Sequence, residues 1–217
     1  MKHINSSDIE KMEKIFRLNL INSCTGYKSA NLIATKSKNG NSNVAVFSSI
    51  THMGSNPAML GFVTRPLSVS RNTYKNIKET SYFTVNHIHQ KMIEQAHQTA
   101  AKYDEEISEF HKTGLNEKYL DDFHAPYVEQ SEIKLGCKYL NEYPIKENDT
   151  LLVVAAIEHI YFDEGIQMPD GWLRLEDAET VAVNGLDGYA LPSLLDRFHY
   201  ARPNQEVKSF FSKKTDS

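Results

Sequence analysis

Cysteine is scarce in this chain. Its 217 residues include two cysteines, Cys24 and Cys137, which lie far apart and outside any CxxC pattern. That excludes a zinc knuckle and a disulfide framework, and buried free thiols are expected. Glycine-rich phosphate loops are missing as well. The chain has no GxGxxG and no GxxxxGK[ST], so neither a Rossmann dinucleotide site nor a P-loop is indicated. No apolar run reaches membrane-spanning length. The start, MKHINSSDIEKMEK, is polar and has no apolar signal-peptide core, so a soluble cytoplasmic protein is expected. Positive charge is not in excess: 24 Lys and Arg face 28 Asp and Glu, a formal net charge of -4. That argues against a general nucleic-acid surface. Internal repeats, low-complexity tracts and clear linkers are also missing.

What is present suits a globular protein of one domain spanning 1–217, with 1–14 as a charged lead-in or short helix. Hydrophobic residues make up 40% and charged residues 24%, and this length can bury a sizeable core. The final residues, SKKTDS, are expected to be disordered. YKSANLIATKS reads as a strand, and Asn39-Gly40 in the following KNGNSN is a hairpin signal. Alanines and apolar residues at helical spacing predict helix from Gln90 to Phe110. A polar, aromatic-rich connector then runs from His111 to Gln130. IKLGCKYLNEYPI and TLLVVAAIEHIYF are two strong strand candidates, the second apolar enough to be buried on both faces. Strands joined by hairpins with few helices predict a mainly β fold, a barrel with helical decoration.

The stretch from Asn43 to Ile88 carries the chemistry. The runs NVAVFSSI and AMLGFV read as strands around a turn containing Gly54, Asn56 and Pro57. Phe47, Ser48, Ser49, Ile50 and Thr51 stand where the first strand ends. Small hydroxyl residues there let a planar ring approach the backbone and hydrogen-bond its polar edge. Ordinary solvated strand-end residues would look the same, and Phe47 and Ile50 are expected in the core either way. The loop Arg65-Pro66-Leu67-Ser68-Val69-Ser70-Arg71-Asn72-Thr73 follows. Ser68 and Ser70 are candidate N-caps, and Tyr74 and Ile77 mark one apolar helix face. A helix N-terminus flanked by Arg65 and Arg71 suits an anion such as phosphate. A capped surface helix after a solvated loop fits these residues equally well. His87 and His89 form HIH at a strand end, without HExxH; ordinary polar histidines are favoured over metal ligands. Tyr103 and Tyr189 are candidate ring contacts, although single aromatics are more often core.

SSITHMGSNP, FVTRP, RNTYKNIKET, YFTVNHI, QAHQTAAKYD, SEFHKTGL, APYVEQSEIKLGCK and GLDGYA, taken in order, resemble the flavin reductase-like family. The similarity runs from about Asn43 to Pro203, nearest the branch with flavoredoxin and the reductase components of two-component monooxygenases. The resemblance implies an FMN-binding split β-barrel that accepts hydride from NAD(P)H and passes electrons or reduced flavin to an acceptor. It places Ser48, Ser49 and Thr51 along the isoalloxazine, and Arg65, Arg71, Asn72 and Thr73 at the ribityl phosphate. His97 and Thr99 fall near the open face of the flavin, as the candidate catalytic positions. It also implies a homodimer with each flavin near the subunit interface, and a partner monooxygenase or other electron acceptor. The pattern departs at Thr99-Ala100, where relatives carry Thr-Ser, and in GLDGYA, which ends in one tyrosine where relatives often have two. Both departures fall on the substrate side. A non-catalytic FMN-binding electron carrier or sensor remains the alternative, and a haem-handling barrel a weaker one.

Overall fold

A computed structural model describes residues 1–66, 71–104 and 106–211. The SKKTDS tail and the candidate N-caps Ser68 and Ser70 lie outside the described residues. The elements in chain order are α1 (Ser6–Lys11), α2 (Lys14–Cys24), β1 (Lys28–Ser29), β2 (Asn31–Lys36), β3 (Ser42–Phe47), β4 (Thr51–Ser55) and β5 (Ala58–Thr64). Next come α3 (Asn72–Thr80), β6 (Tyr82–His87), α4 (Ile93–Gln98), α5 (Glu109–Thr113), β7 (Glu117–Lys118) and β8 (Tyr127–Val128). Two long strands, β9 (Lys134–Ile145) and β10 (Thr150–Tyr161), precede β11 (Ala182–Asn184) and β12 (Gly188–Ala190). No helix among the described residues is long and apolar enough to cross a membrane.

Seven strands form one antiparallel sheet in the order β3-β2-β6-β9-β10-β5-β4. The β2–β3 hairpin turns at Asn39-Gly40, where Gly40 takes a φ of 92° that costs glycine no steric strain. β10 lies between β9 and β5, and Leu151, Val153, Val154 and Ala155 are buried, as its apolar run predicts. Register shifts at Val154/Ala155 and Ile157/His159 bend the β9–β10 pair. Ile33 on β2 and Leu60 and Phe62 on β5 belong to one core cluster with Phe83, Val85, Cys137 and Val153. Strands four places apart in the sheet can share a core only if the sheet rolls up. The Ser49 hydroxyl helps close the roll: it accepts from Val63 N–H at 3.1 Å and donates to Val63 C=O at 3.0 Å.

The other face of β2 and β3 packs a second core. Leu32, Ala34 and Val44 meet Met92, Ala96 and Phe110 from the helical segment, and Val181 and Val183 from β11 and the chain before it. A small sheet, β1-β11-β12, completes that side. α3 lies against β2 and β3, with Ile77 fully buried. Its outer side is tied to β9 by Tyr74 and Lys78, which both contact Glu142.

Four expectations are corrected. Gly54 is not in a turn but in β4, next to a register shift, and the turn is confined to Asn56-Pro57. The helix expected from Gln90 to Phe110 is a 3-10 turn at Gln90–Met92, α4, an irregular stretch and α5. Thr99 accounts for the break, because its hydroxyl folds back on Ala96 C=O at 2.7 Å. The N-terminal lead-in continues past residue 14 into an eleven-residue helix, α2. Cys24 is exposed on that helix, whereas Cys137 is buried, and burial pushes the Cys137 thiol far above its ordinary range.

Candidate functional site

A cleft of about 320 Å³ opens where the end of β3, the start of the Arg65 loop, α4 and the β11–β12 turn converge. That volume falls in the range of small-ligand sites. Phe47, Ser48, Arg65, His97, Asp187 and Tyr189 are among the residues that line it. Their origins explain the convergence. Phe47 ends β3 and packs edge-on against Phe62 with ring centres 5.3 Å apart, so the cleft floor is continuous with the barrel core. Arg65 follows β5 directly and remains exposed. Tyr189 is held in β12 opposite Val183, and Val183 is held opposite Lys28.

His97 and Tyr189 form a pair across the cleft. His97 Nδ1 and the Tyr189 hydroxyl are 3.2 Å apart, and the rings meet edge to face at 5.8 Å and 85°. Burial, reinforced by the negative charge of Asp187, raises the Tyr189 phenol above its ordinary value. The phenol therefore keeps its proton near neutral pH and can donate it in a hydrogen bond.

The cleft thus gathers five of the sequence candidates: Phe47, Ser48, Arg65, His97 and Tyr189. The others lie elsewhere. Ser49 spends its hydroxyl on Val63. Ile50 packs against the barrel core, and its carbonyl accepts from Ser29 at 3.2 Å. Thr51 is exposed in β4, opposite Gly61. Thr99 is buried, with its hydroxyl on its own helix. Tyr103 accepts from Gln98 at 3.0 Å and is absent from the cleft lining.

The remaining three stand at the start of α3. Arg71 takes the N-cap position, with extended backbone and no side-chain cap. Its buried Nε has no hydrogen-bond partner among the described residues, an unusual state for a guanidinium. Asn72 opens the helix. Thr73 is buried, and its hydroxyl donates to the Asn43 carboxamide oxygen at 3.0 Å, while the Asn43 nitrogen reaches Glu109 at 3.2 Å. Burial raises the Glu109 carboxyl above its ordinary value. This network fixes the first turn of α3 to β3 and α5. Asn43, Glu109 and Asp187 were not singled out from sequence, and no local pattern marks them; only the tertiary approach of β3, α5 and the last turn does.

Of the two HIH histidines, His89 serves the backbone. His89 bridges Gln130 C=O at 3.0 Å and Lys91 N–H at 3.2 Å. The Nδ1 of His87 is buried without a partner, and burial lowers its pKa to about 4. Among the described residues no cluster of His, Cys, Asp and Glu could hold a metal.

Comparison with known proteins follows the same lines. The sequence model of the flavin reductase like domain matches residues 27–188. A protein assigned as a flavin reductase with split barrel domain, from Shewanella frigidimarina NCIMB 400, superposes with a TM-score of 0.90 at 40% identity, covering 93% of this chain and 100% of that one. Nitrilotriacetate monooxygenase component B from Bacillus cereus superposes with a TM-score of 0.79 at 17% identity, covering 91% and 98%. An FMN-binding protein from Thermus thermophilus gives a TM-score of 0.65 at 14% identity, covering 79% and 89%. The fold is accordingly a split β-barrel with helical additions.

Proposed function

Because the chain belongs to the flavin reductase-like family, a family of flavin-related oxidoreductases, we propose that it binds FMN and reduces it at the expense of NAD(P)H. The observation that carries the reading is the cleft where Phe47, Ser48, Arg65 and His97 meet. The sequence places these residues around a flavin, and they come from three separate segments: the end of β3, the chain after β5, and α4. The orphaned Nε of Arg71 at a nine-residue helix start fits the same ligand, since a phosphate would supply the missing acceptor.

FMN supplies the redox chemistry, accepting hydride from a nicotinamide. The chain's work is binding and orientation. Ser48 offers its hydroxyl and backbone to the polar edge of the ring, and Phe47 forms an apolar wall that keeps water from it. Arg65, Arg71 and the N-terminus of α3 hold the phosphate. His97, braced by Tyr189, stands where it can donate a hydrogen bond to a developing negative charge. Reduced flavin or its electrons then go to an acceptor. The likeness to a monooxygenase component supports an oxygenase partner. The reading includes a cytoplasmic homodimer.

Anaerobic reduction of the FMN-loaded protein with NADH and NADPH in turn tests this. Rapid bleaching of the flavin absorbance is expected with at least one of them. Tight FMN binding without bleaching by either would overturn the reductase and leave the electron carrier or sensor.

A further inference from the structure

We infer that Tyr189 is a positioning residue: its hydroxyl donates to Nδ1 of His97 and holds the neutral imidazole in the tautomer with its proton on Nε2. The inference deepens the reading above and rests on it only for the identity of the ligand.

The two groups are 3.2 Å apart, a distance at which one of them must donate. If Nδ1 were the donor, the phenolic proton would need another acceptor, and among the described residues the Tyr189 oxygen has no second hydrogen bond. With the phenol as donor, both atoms are satisfied at once. Asp187 and burial favour the protonated phenol, which keeps the donor in place. The perpendicular ring contact at 5.8 Å fixes the imidazole plane as well.

The pair is also held in a shared frame. Tyr189 is opposite Val183 in the small sheet. The chain just before that sheet is bound to the residues that lead into α4: Thr180 bridges His89, and Gln90 N–H donates to Glu179 C=O at 3.1 Å. The imidazole and its partner therefore move together. With Nδ1 occupied, Nε2 is the ring nitrogen left without a partner among the described residues. In the assigned tautomer it is a donor, suited to a carbonyl oxygen or a ring atom gaining negative charge. A histidine with the opposite tautomer would present a lone pair and repel such an atom.

Long-range proton–nitrogen NMR of the flavin-free, full-length chain reads the tautomer directly, at a pH well above the ordinary histidine range. In the wild type, Nδ1 should resonate as the unprotonated nitrogen and Nε2 as the protonated one. Tyr189→Phe keeps the ring contact and removes only the hydroxyl, and it should move the His97 signals toward a tautomer mixture. A protonated Nδ1 in the wild type overturns the inference even if the variant fails to fold, as does an unchanged spectrum in a folded variant. In the FMN-loaded protein, Tyr189→Phe should slow nicotinamide-dependent reduction by about three- to tenfold, the scale of one neutral hydrogen bond, with FMN affinity nearly unchanged. A tautomer shift without slowing would remove the donor role at the ligand. A fixed Nε2 tautomer in a wild type that neither nicotinamide reduces would defeat the reductase reading and leave the Tyr189 assignment standing.

Discussion

At the scale of single residues, neighbours in sequence do different jobs. Ser48, at the bend just after β3, lines the cleft, while Ser49 turns to the Val63 backbone. The sequence marked both hydroxyls for the flavin ring, and composition alone could not separate them. Ser49→Ala removes the Val63 bridge and should lower stability by about 1–3 kcal/mol in chemical denaturation, with little loss of FMN affinity. Arg71 is the opposite case. Its unpartnered buried Nε has more to gain from a ligand than from the fold. Arg71→Ala should weaken FMN binding by about 1.5–3 kcal/mol, the scale of a hydrogen bond to a charged group. Riboflavin, which lacks the phosphate, should lose much less, and equal losses for both ligands would remove Arg71 from the phosphate site. His87 reports through pH. Burial lowers its pKa from 6.5 to about 4. Between those values the unfolded chain binds a proton that the folded chain refuses, so stability falls as pH drops through that window. The buried Glu109 carboxyl, raised rather than lowered, pulls the other way. His87→Asn isolates the histidine: its denaturation free energy should lose about 2–3 kcal/mol less than wild type between about pH 6.5 and 4.

At the scale of elements, legibility followed where each segment finds its partners. The Asn39-Gly40 hairpin and the buried centre of β10 could be read because local turn chemistry and an uninterrupted apolar run specify them. β4 was missed because THMGS neither alternates nor buries its side chains. The Gln90–Phe110 helix was over-read because helical spacing says nothing about the Thr99 hydroxyl turning onto Ala96. The site divides the same way: the wall residues were legible as a strand end and a basic loop, whereas the Tyr189–His97 pair depends on two elements distant in sequence. β9 holds a similar long-range constraint at Gly136. A Cβ there would run into the Tyr127 hydroxyl and lie 3.1 Å from His159 Cβ. Tyr127 is fully buried, so it has little room to yield. Gly136→Ala should therefore cost about 1–3 kcal/mol through overpacking. Tyr127→Phe frees the space the hydroxyl fills, so the double variant should be less destabilised than the sum of the singles. Strict additivity in that cycle would show that the clash is relieved some other way.

At the scale of the whole molecule, α2 and the last part of the described chain leave apolar side chains exposed. α2 is eleven residues long and buries none of them. Ile15 is 57% exposed, Phe16 54%, Leu18 36% and Ile21 38%, and these positions spread around more than one side of the helix. A helix this short gains most of its stability from packing an apolar face, and one that is apolar on several sides is usually buried. The segment from Leu191 onward repeats the pattern: Leu195 is 96% exposed, Tyr200 91% and Phe198 55%. That arm is tied to the rest of the chain at Arg197, which pairs with Asp170 at 2.6 Å and lies over the Trp172 ring, with Phe210 of the arm on it as well. We propose that a second copy of the chain covers α2 and the arm. The end of α2 adjoins the cleft, since Ser23 faces Gly185 in the turn before the Leu186 rim. A dimer built there would bring each cleft close to the interface. Light scattering at micromolar concentration should give twice the chain mass. Phe16→Glu with Ile21→Glu should give a monomer that keeps its β-sheet spectrum but binds FMN more weakly. A wild-type monomer would end the proposal outright. A dimer unaffected by both charges would move the interface away from α2.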